Sequence, residues 1–151
     1  MKSIYEQAVR EATIAHTGQV RKGSGEHFIV HPLGVSKIVE EIAPYYNFTN
    51  INFLKVVSVL HDTLEDTDFT EERMIELFGT NVTNTVKILS NRKKKQYELF
   101  IDDIINSGNR NAMIIKVADI SHNLPTAEGV ISDKKIQKWK NAKEKLIEAL
   151  T

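Results

Sequence analysis

The chain has 151 residues, a length that fits one domain of ordinary size. Apolar residues make up 41% and charged residues 26%, the balance of a folded globular protein rather than a disordered one. There is no cysteine, which excludes disulfides, thiolate catalysis and cysteine-ligated metal, and the equal counts of 20 Lys+Arg and 20 Asp+Glu argue against a surface built for nonspecific nucleic-acid binding.

The period of the apolar residues is helical almost throughout. Ile4, Ala8, Ala12 and Ala15 predict a helix over 4–20. The turn-rich stretch Arg21-Lys22-Gly23-Ser24-Gly25-Glu26 breaks it. Pro32 suits the first turn of a second helix that buries Val35, Ile38, Val39 and Ile42 and ends at Pro44. Asn50 is placed to cap a third helix, apolar nearly all round from Phe53 to Leu60 and therefore read as buried. Thr70 starts another, with Met74, Ile75, Leu77 and Phe78 inward and Gly79 at its end. Helices over 81–90 and 95–106 follow, joined by the basic run Arg92-Lys93-Lys94-Lys95, read as a solvated turn. Residues 110–124 form a second greasy helix ending near Pro125, and Ser132 or Asp133 caps a last amphipathic helix that includes Trp139 as a core residue. The expectation is one all-α domain over residues 1–151. No apolar run approaches the ~20 residues needed to span a bilayer and the N-terminus has no apolar stretch of the signal type, so a cytoplasmic location is expected.

The informative residues are polar ones on the two greasiest helices. His61-Asp62 directly follows Leu60, with Glu65 and Asp66 each four residues on, so that an imidazole and three carboxylates stack over adjoining turns. Anions this close repel unless a cation or paired bases offset them. On the second greasy helix Lys116, Asp119 and Asn123 share a face, with His122 beside them. Asp119 is open to two readings there, a ligand or the partner of Lys116. His31, before Pro32, adds another imidazole. Nitrogen and carboxylate donors without sulfur suit Mn²⁺, Fe²⁺ or Zn²⁺, and two histidines with two aspartates leave positions open for water or substrate. Glu65 and Asp66, one turn along, are placed to orient that water or take its proton.

His61-Asp62 with an upstream histidine and a downstream aspartate resembles the HD-domain metal phosphohydrolases. The resemblance is closer to the RelA/SpoT hydrolase branch. Ala15-His16-Thr17-Gly18-Gln19-Val20-Arg21-Lys22-Gly23-Ser24-Gly25-Glu26 and Ile29-Val30-His31-Pro32-Leu33 are similar to its first signature. His61-Asp62-Thr63-Leu64-Glu65-Asp66-Thr67 is similar to its second, and Ile115-Lys116-Val117-Ala118-Asp119 with His122-Asn123-Leu124 to its third. The resemblance spans nearly the whole chain and its length is that of the hydrolase domain alone, which implies a small stand-alone alarmone hydrolase within a multi-helix HD bundle.

The resemblance implies a (p)ppGpp 3′-pyrophosphohydrolase yielding GDP or GTP and pyrophosphate. It implies a divalent metal, usually Mn²⁺, on His31, His61, Asp62 and Asp119, and a catalytic pair in Glu65 and Asp66. Arg21 and Lys22 map onto the nucleotide-binding loop and Asn123 onto a ribose and phosphate contact. The expected partner is a small nucleotide, neither nucleic acid nor membrane. The alternatives are a related nucleotide such as ppApp or NADPH as substrate, or a binding module without turnover. Two departures stand out: Ile120 follows Asp119 where the branch often has arginine, and His27-Phe28 stands where Pro-Tyr is common. They bear on substrate preference more than on the ligands.

Overall fold

The apolar pattern requires that the two greasiest helices, those carrying Leu60 and Ile114, be covered on every side, and the fold is arranged to do so. The computed structural model describes residues 2–151, which form nine α-helices. These are α1 (Ile4–Ala15), α2 (Val30–Ile42), α3 (Ile51–Leu60), α4 (Thr63–Asp66), α5 (Glu71–Phe78), α6 (Thr80–Ile88), α7 (Tyr97–Asn106), α8 (Arg110–Asn123) and α9 (Asp133–Leu150). Short 3₁₀ turns follow α2 (Ala43–Tyr46) and α8 (Leu124–Thr126), each containing the proline expected to stop the helix. None of these helices is long and apolar enough to cross a membrane.

α2 packs against both α3 and α8, α1 covers α3, and α9 covers α8 and α7. Leu54, Val57, Val59 and Leu60 of α3 are fully buried, as are Ile114, Ile115 and Ala118 of α8. Burying each such Leu or Ile side chain contributes about 1.5–3 kcal/mol. Capping follows the sequence at Thr70 and Ser132, whose hydroxyls accept from the backbone N–H of Arg73 and Lys135. Asn50 precedes α3 as expected but makes no side-chain cap bond; its amide donates instead to Asn111 Oδ1 at 3.0 Å.

Ile75, expected inward on α5, is 46% exposed, and two further expectations are corrected. The first helix ends at Ala15, not at 20. Its C-terminal turn leads into a narrow excursion closed by a lone antiparallel bridge between Val20 and His27. Arg21 N–H donates to the Glu26 carbonyl at 2.7 Å and Phe28 N–H to the Gln19 carbonyl at 3.0 Å, so backbone pairing outcompetes continued helix. The second concerns Trp139. It lies half-buried, packed on the core by one part and lining a cleft by another.

Candidate metal centre

The buried floor of the cleft is made where α3 breaks. His61 folds its ring back so that Nδ1 donates to the Ser58 carbonyl at 2.6 Å, and Thr63 Oγ1 donates to the Leu60 carbonyl at 2.7 Å. These bonds satisfy the last carbonyls of α3 and let the chain turn into α4. Asp66 N–H bonds the Asp62 carbonyl at 2.9 Å, keeping the four-residue step, and Glu65 Oε1 accepts from Asn91 N–H at 2.8 Å.

His31, on the first turn of α2, and Asp119, on α8, meet this turn from the other side. Ligand-capable atoms of His31, His61 and Asp62 all lie within 4.8 Å of one another. Asp119 Oδ1 is 2.8 Å from His31 Nε2 and 3.5 Å from His61 Nε2, and Asp62 Oδ2 is 3.1 Å from His61 Nε2. The structure thus brings together His31, His61, Asp62 and Asp119. Both readings of Asp119 hold at once: its second oxygen accepts from Lys116 Nζ at 2.7 Å while the first faces the histidines.

The donor set fits a divalent cation. With Nδ1 given to the Ser58 carbonyl, Nε2 of the neutral His61 ring presents a lone pair, buried and without a hydrogen-bond partner. That lone pair faces two carboxylates, an arrangement unfavourable unless a positive charge lies among them. Electrostatics point the same way. Burial works against a charged His61, yet Asp62 and Asp119 outweigh it and raise its pKa well above the ordinary value. Burial likewise opposes ionised Asp119, but Lys116 and the histidines hold it well below the carboxylate range. Asp62 is lowered too, burial being outweighed by His61. The anions that draw a proton onto His61 are equally able to draw a metal ion in exchange for it.

Above this floor the cleft holds about 370 Å³ and is lined by Arg21, Glu65, Asp66 and Asn123 among the expected residues. Burial, then Asp62 and Glu65, push the Asp66 carboxyl up to about 6. Asn123 Nδ2 reaches towards Asp119 Oδ1 at 3.4 Å. Lys22 departs from the expectation: it is exposed and lines two smaller crevices beyond Arg21, not the cleft. Gly23, with φ +95°, lies against the Val130 side chain, which sets the Arg21 loop on the α8–α9 connection.

Phe28, Tyr97, Lys135 and Trp139 also line the cleft and had no part in the sequence-level site. Of the two departures, Ile120 is buried on the cleft wall and Phe28 packs on the rings of His16 and His31. His16, without a role from sequence, is buried with its Nδ1 2.8 Å from Gln19 Oε1. Gln19 in turn donates to the Asp66 carbonyl at 2.9 Å. Amphipathic spacing could not reveal Lys135 or Trp139, because α9 shows the same pattern whether its apolar side meets a core or a cleft.

Among curated proteins the chain is 33% identical over 144 residues to a GTP pyrophosphokinase of Myxococcus xanthus, covering 87% of this chain and 18% of that protein. It is 32% identical over 130 residues to a guanosine-3′,5′-bis(diphosphate) 3′-pyrophosphohydrolase of Haemophilus influenzae, covering 80% of this chain and 18% of that protein. The chain therefore spans about a fifth of the length of these relatives. Its fold matches a solved structure described as a metazoan ortholog of SpoT that hydrolyzes ppGpp and plays a role in starvation responses. The TM-score is 0.77 with 22% identity, covering 99% of this chain and 86% of that one. The HD domain profile matches residues 28–124, the stretch that carries His31, the His61-Asp62 doublet and Asp119. On that match, and on the convergence of those four side chains at one buried point, the chain belongs to the HD domain family.

Proposed function

We propose that the protein is a metal-dependent hydrolase that removes the 3′-pyrophosphate of guanosine tetra- or pentaphosphate, giving GDP or GTP and pyrophosphate. The observation that carries this reading is the bare, buried Nε2 of His61 among His31, Asp62 and Asp119, beneath a cleft lined by Glu65, Asp66 and Arg21. The names of the relatives from Myxococcus xanthus and Haemophilus influenzae, both concerned with guanosine polyphosphates, support the substrate class.

His31, His61, Asp62 and Asp119 would hold the cation, for which Mn²⁺ is the assignment here. When bound, such an ion polarises phosphoryl oxygens and makes water more acidic at neutral pH. The chain's own groups do the rest. Glu65, fixed by Asn91 N–H, orients the attacking water. Asp66, with a carboxyl that titrates near 6, takes its proton close to neutrality. The water's oxygen bonds to the phosphorus attached to the 3′-oxygen as that ester bond breaks. The Arg21 guanidinium pairs with phosphate or stacks on the base, and Asn123 positions the ribose. The half-buried Trp139 offers an apolar face to the nucleoside.

The test is incubation of ppGpp with metal-stripped protein, with and without Mn²⁺, followed by separation of products. Mn²⁺-dependent release of GDP and intact pyrophosphate is the expected result. Release of single phosphates, or turnover unaffected by stripping, would refute the reading.

A further inference from the structure

His122 stands on the last turn of α8 with its Nδ1 2.8 Å from His31 Nδ1. The two rings are tilted, their centroids 4.9 Å apart. The opposite nitrogen of His31, Nε2, is the one that faces Asp119 at 2.8 Å and Asp62 at 3.8 Å. An imidazole that offers its Nε2 lone pair to a cation carries its proton on Nδ1. His31 is only 2% exposed, so that N–H cannot turn to water and needs an acceptor within the protein. His122 Nδ1 is in place to be it.

Room for the His122 ring is made on the facing helix. A Cβ built on Gly34 would stand 2.2 Å from His122 Nε2 and 2.4 Å from its Cδ2, closer than carbon atoms approach. Gly34 lies inside α2, where glycine is otherwise unfavourable. The close approach gives that glycine a physical reason.

We propose that His122, seated against Gly34, is a positioning residue for the metal centre. It accepts the bond from His31 Nδ1–H, keeps the ring turned with Nε2 towards Asp62 and Asp119, and so sets the affinity of the centre for its cation. The inference rests on the metal-dependent reading above. His122 supplies no ligand atom itself, since Nδ1 is engaged with His31 and Nε2 abuts Gly34.

The experiment is Mn²⁺ titration of the full chain by chelator competition, with circular dichroism to check folding. His122→Phe keeps a ring of similar bulk and removes the acceptor; it is expected to weaken Mn²⁺ binding about 10- to 100-fold. His122→Gln, which returns an acceptor oxygen, should recover part of the loss. Gly34→Ala should weaken binding in the native background. In a His122→Ala background the same change should leave affinity untouched and raise the melting temperature, because the clash has gone. Equal Mn²⁺ affinity in His122→Phe and the native chain overturns the inference, as does an equal effect of Gly34→Ala in both backgrounds. A native chain that binds no Mn²⁺ overturns the metal reading itself, and this inference with it.

Discussion

Asp119 carries two duties through two oxygens, one towards the histidines and one towards Lys116, whose side chain is 13% exposed. Asp119→Ala therefore removes a proposed ligand and strands the buried Lys116 charge. Loss of the metal and of turnover is expected, with a stability cost of about 3–5 kcal/mol for breaking a buried pair. Asp119→Asn keeps a dipole against Lys116, so it should lose metal equally with a smaller cost, as metal analysis and denaturant melts will show. Glu65→Gln divides the roles differently. Turnover should fall about 10²–10⁴-fold with metal content preserved, because Glu65 lies outside the ligand cluster and bonds Asn91 instead. Asp66 gives a pH signature. Its folded pKa of about 6 is raised above the unfolded value, so ionising it works against folding as pH rises from about 4 through 6. Asp66→Asn should raise the melting temperature at about pH 7.5 and leave it unchanged at about pH 4, while removing turnover. Solvent access to this side chain limits the gain to about 1 kcal/mol.

At the level of elements, the break between α3 and α4 is the feature that makes the site. The His61 ring and the Thr63 hydroxyl bond the Ser58 and Leu60 carbonyls at the end of α3, so a helix that sequence periodicity would continue is stopped after Leu60. Across the break Asp62 and Asp66 stay in step by fours, and Glu65 is held by the Asn91 N–H, a contact that spacing does not reveal. Helix starts written in capping residues were legible, and Thr70 shows their weight. Thr70→Ala removes the bond to Arg73 N–H and should cost about 1 kcal/mol, lowering the melting temperature by roughly 2–4 °C with turnover unchanged. α9 lies outside the stretch shared with the family profile yet contributes Lys135 and Trp139 to the cleft. Trp139→Ala should raise KM for the nucleotide, with up to about 1–3 kcal/mol of binding lost if a base stacks there. Steady-state kinetics on protein of native circular dichroism will decide it.

For the whole molecule, a cluster of like charges at the meeting of α2, α3 and α8 ties stability to the occupant of that point. Binding of Mn²⁺ to the folded state alone raises stability by about 2.7 kcal/mol at a hundredfold excess over Kd. The melting temperature should thus rise with Mn²⁺ in the native chain and not in Asp119→Ala. In chelator-treated protein, protonated His61 takes the cation's place among the anions. Its raised pKa contributes stability that is complete below about 6.5 and lost as pH climbs through the folded value. The depressed Asp119 contributes stability present above about 4 and lost as pH falls. The chelated protein should therefore melt highest at mildly acidic pH, between those limits, and added Mn²⁺ should extend that maximum towards alkaline pH. A chelated protein that gains stability steadily to about pH 8 would contradict the placement of His61 among the anions.

Legible in the sequence were the helical class, the two buried helices and the ionisable side chains His31, His61, Asp62 and Asp119 that the fold brings together. A period of three to four and capping side chains act within a turn or two, and ionisable groups on greasy helices are costly enough to need a purpose. What those groups face depends on how the helices pack. That Nε2 of His61 is left bare, that Asp119 serves Lys116 and the histidines together, that Glu65 swings to Asn91, and that Trp139 and Lys135 border the cleft all depend on contacts between residues far apart in the chain. So does the seat of His122 against Gly34. Such contacts leave no periodic trace, because one helical stripe satisfies a core, a cleft wall or a neighbouring ring with the same spacing.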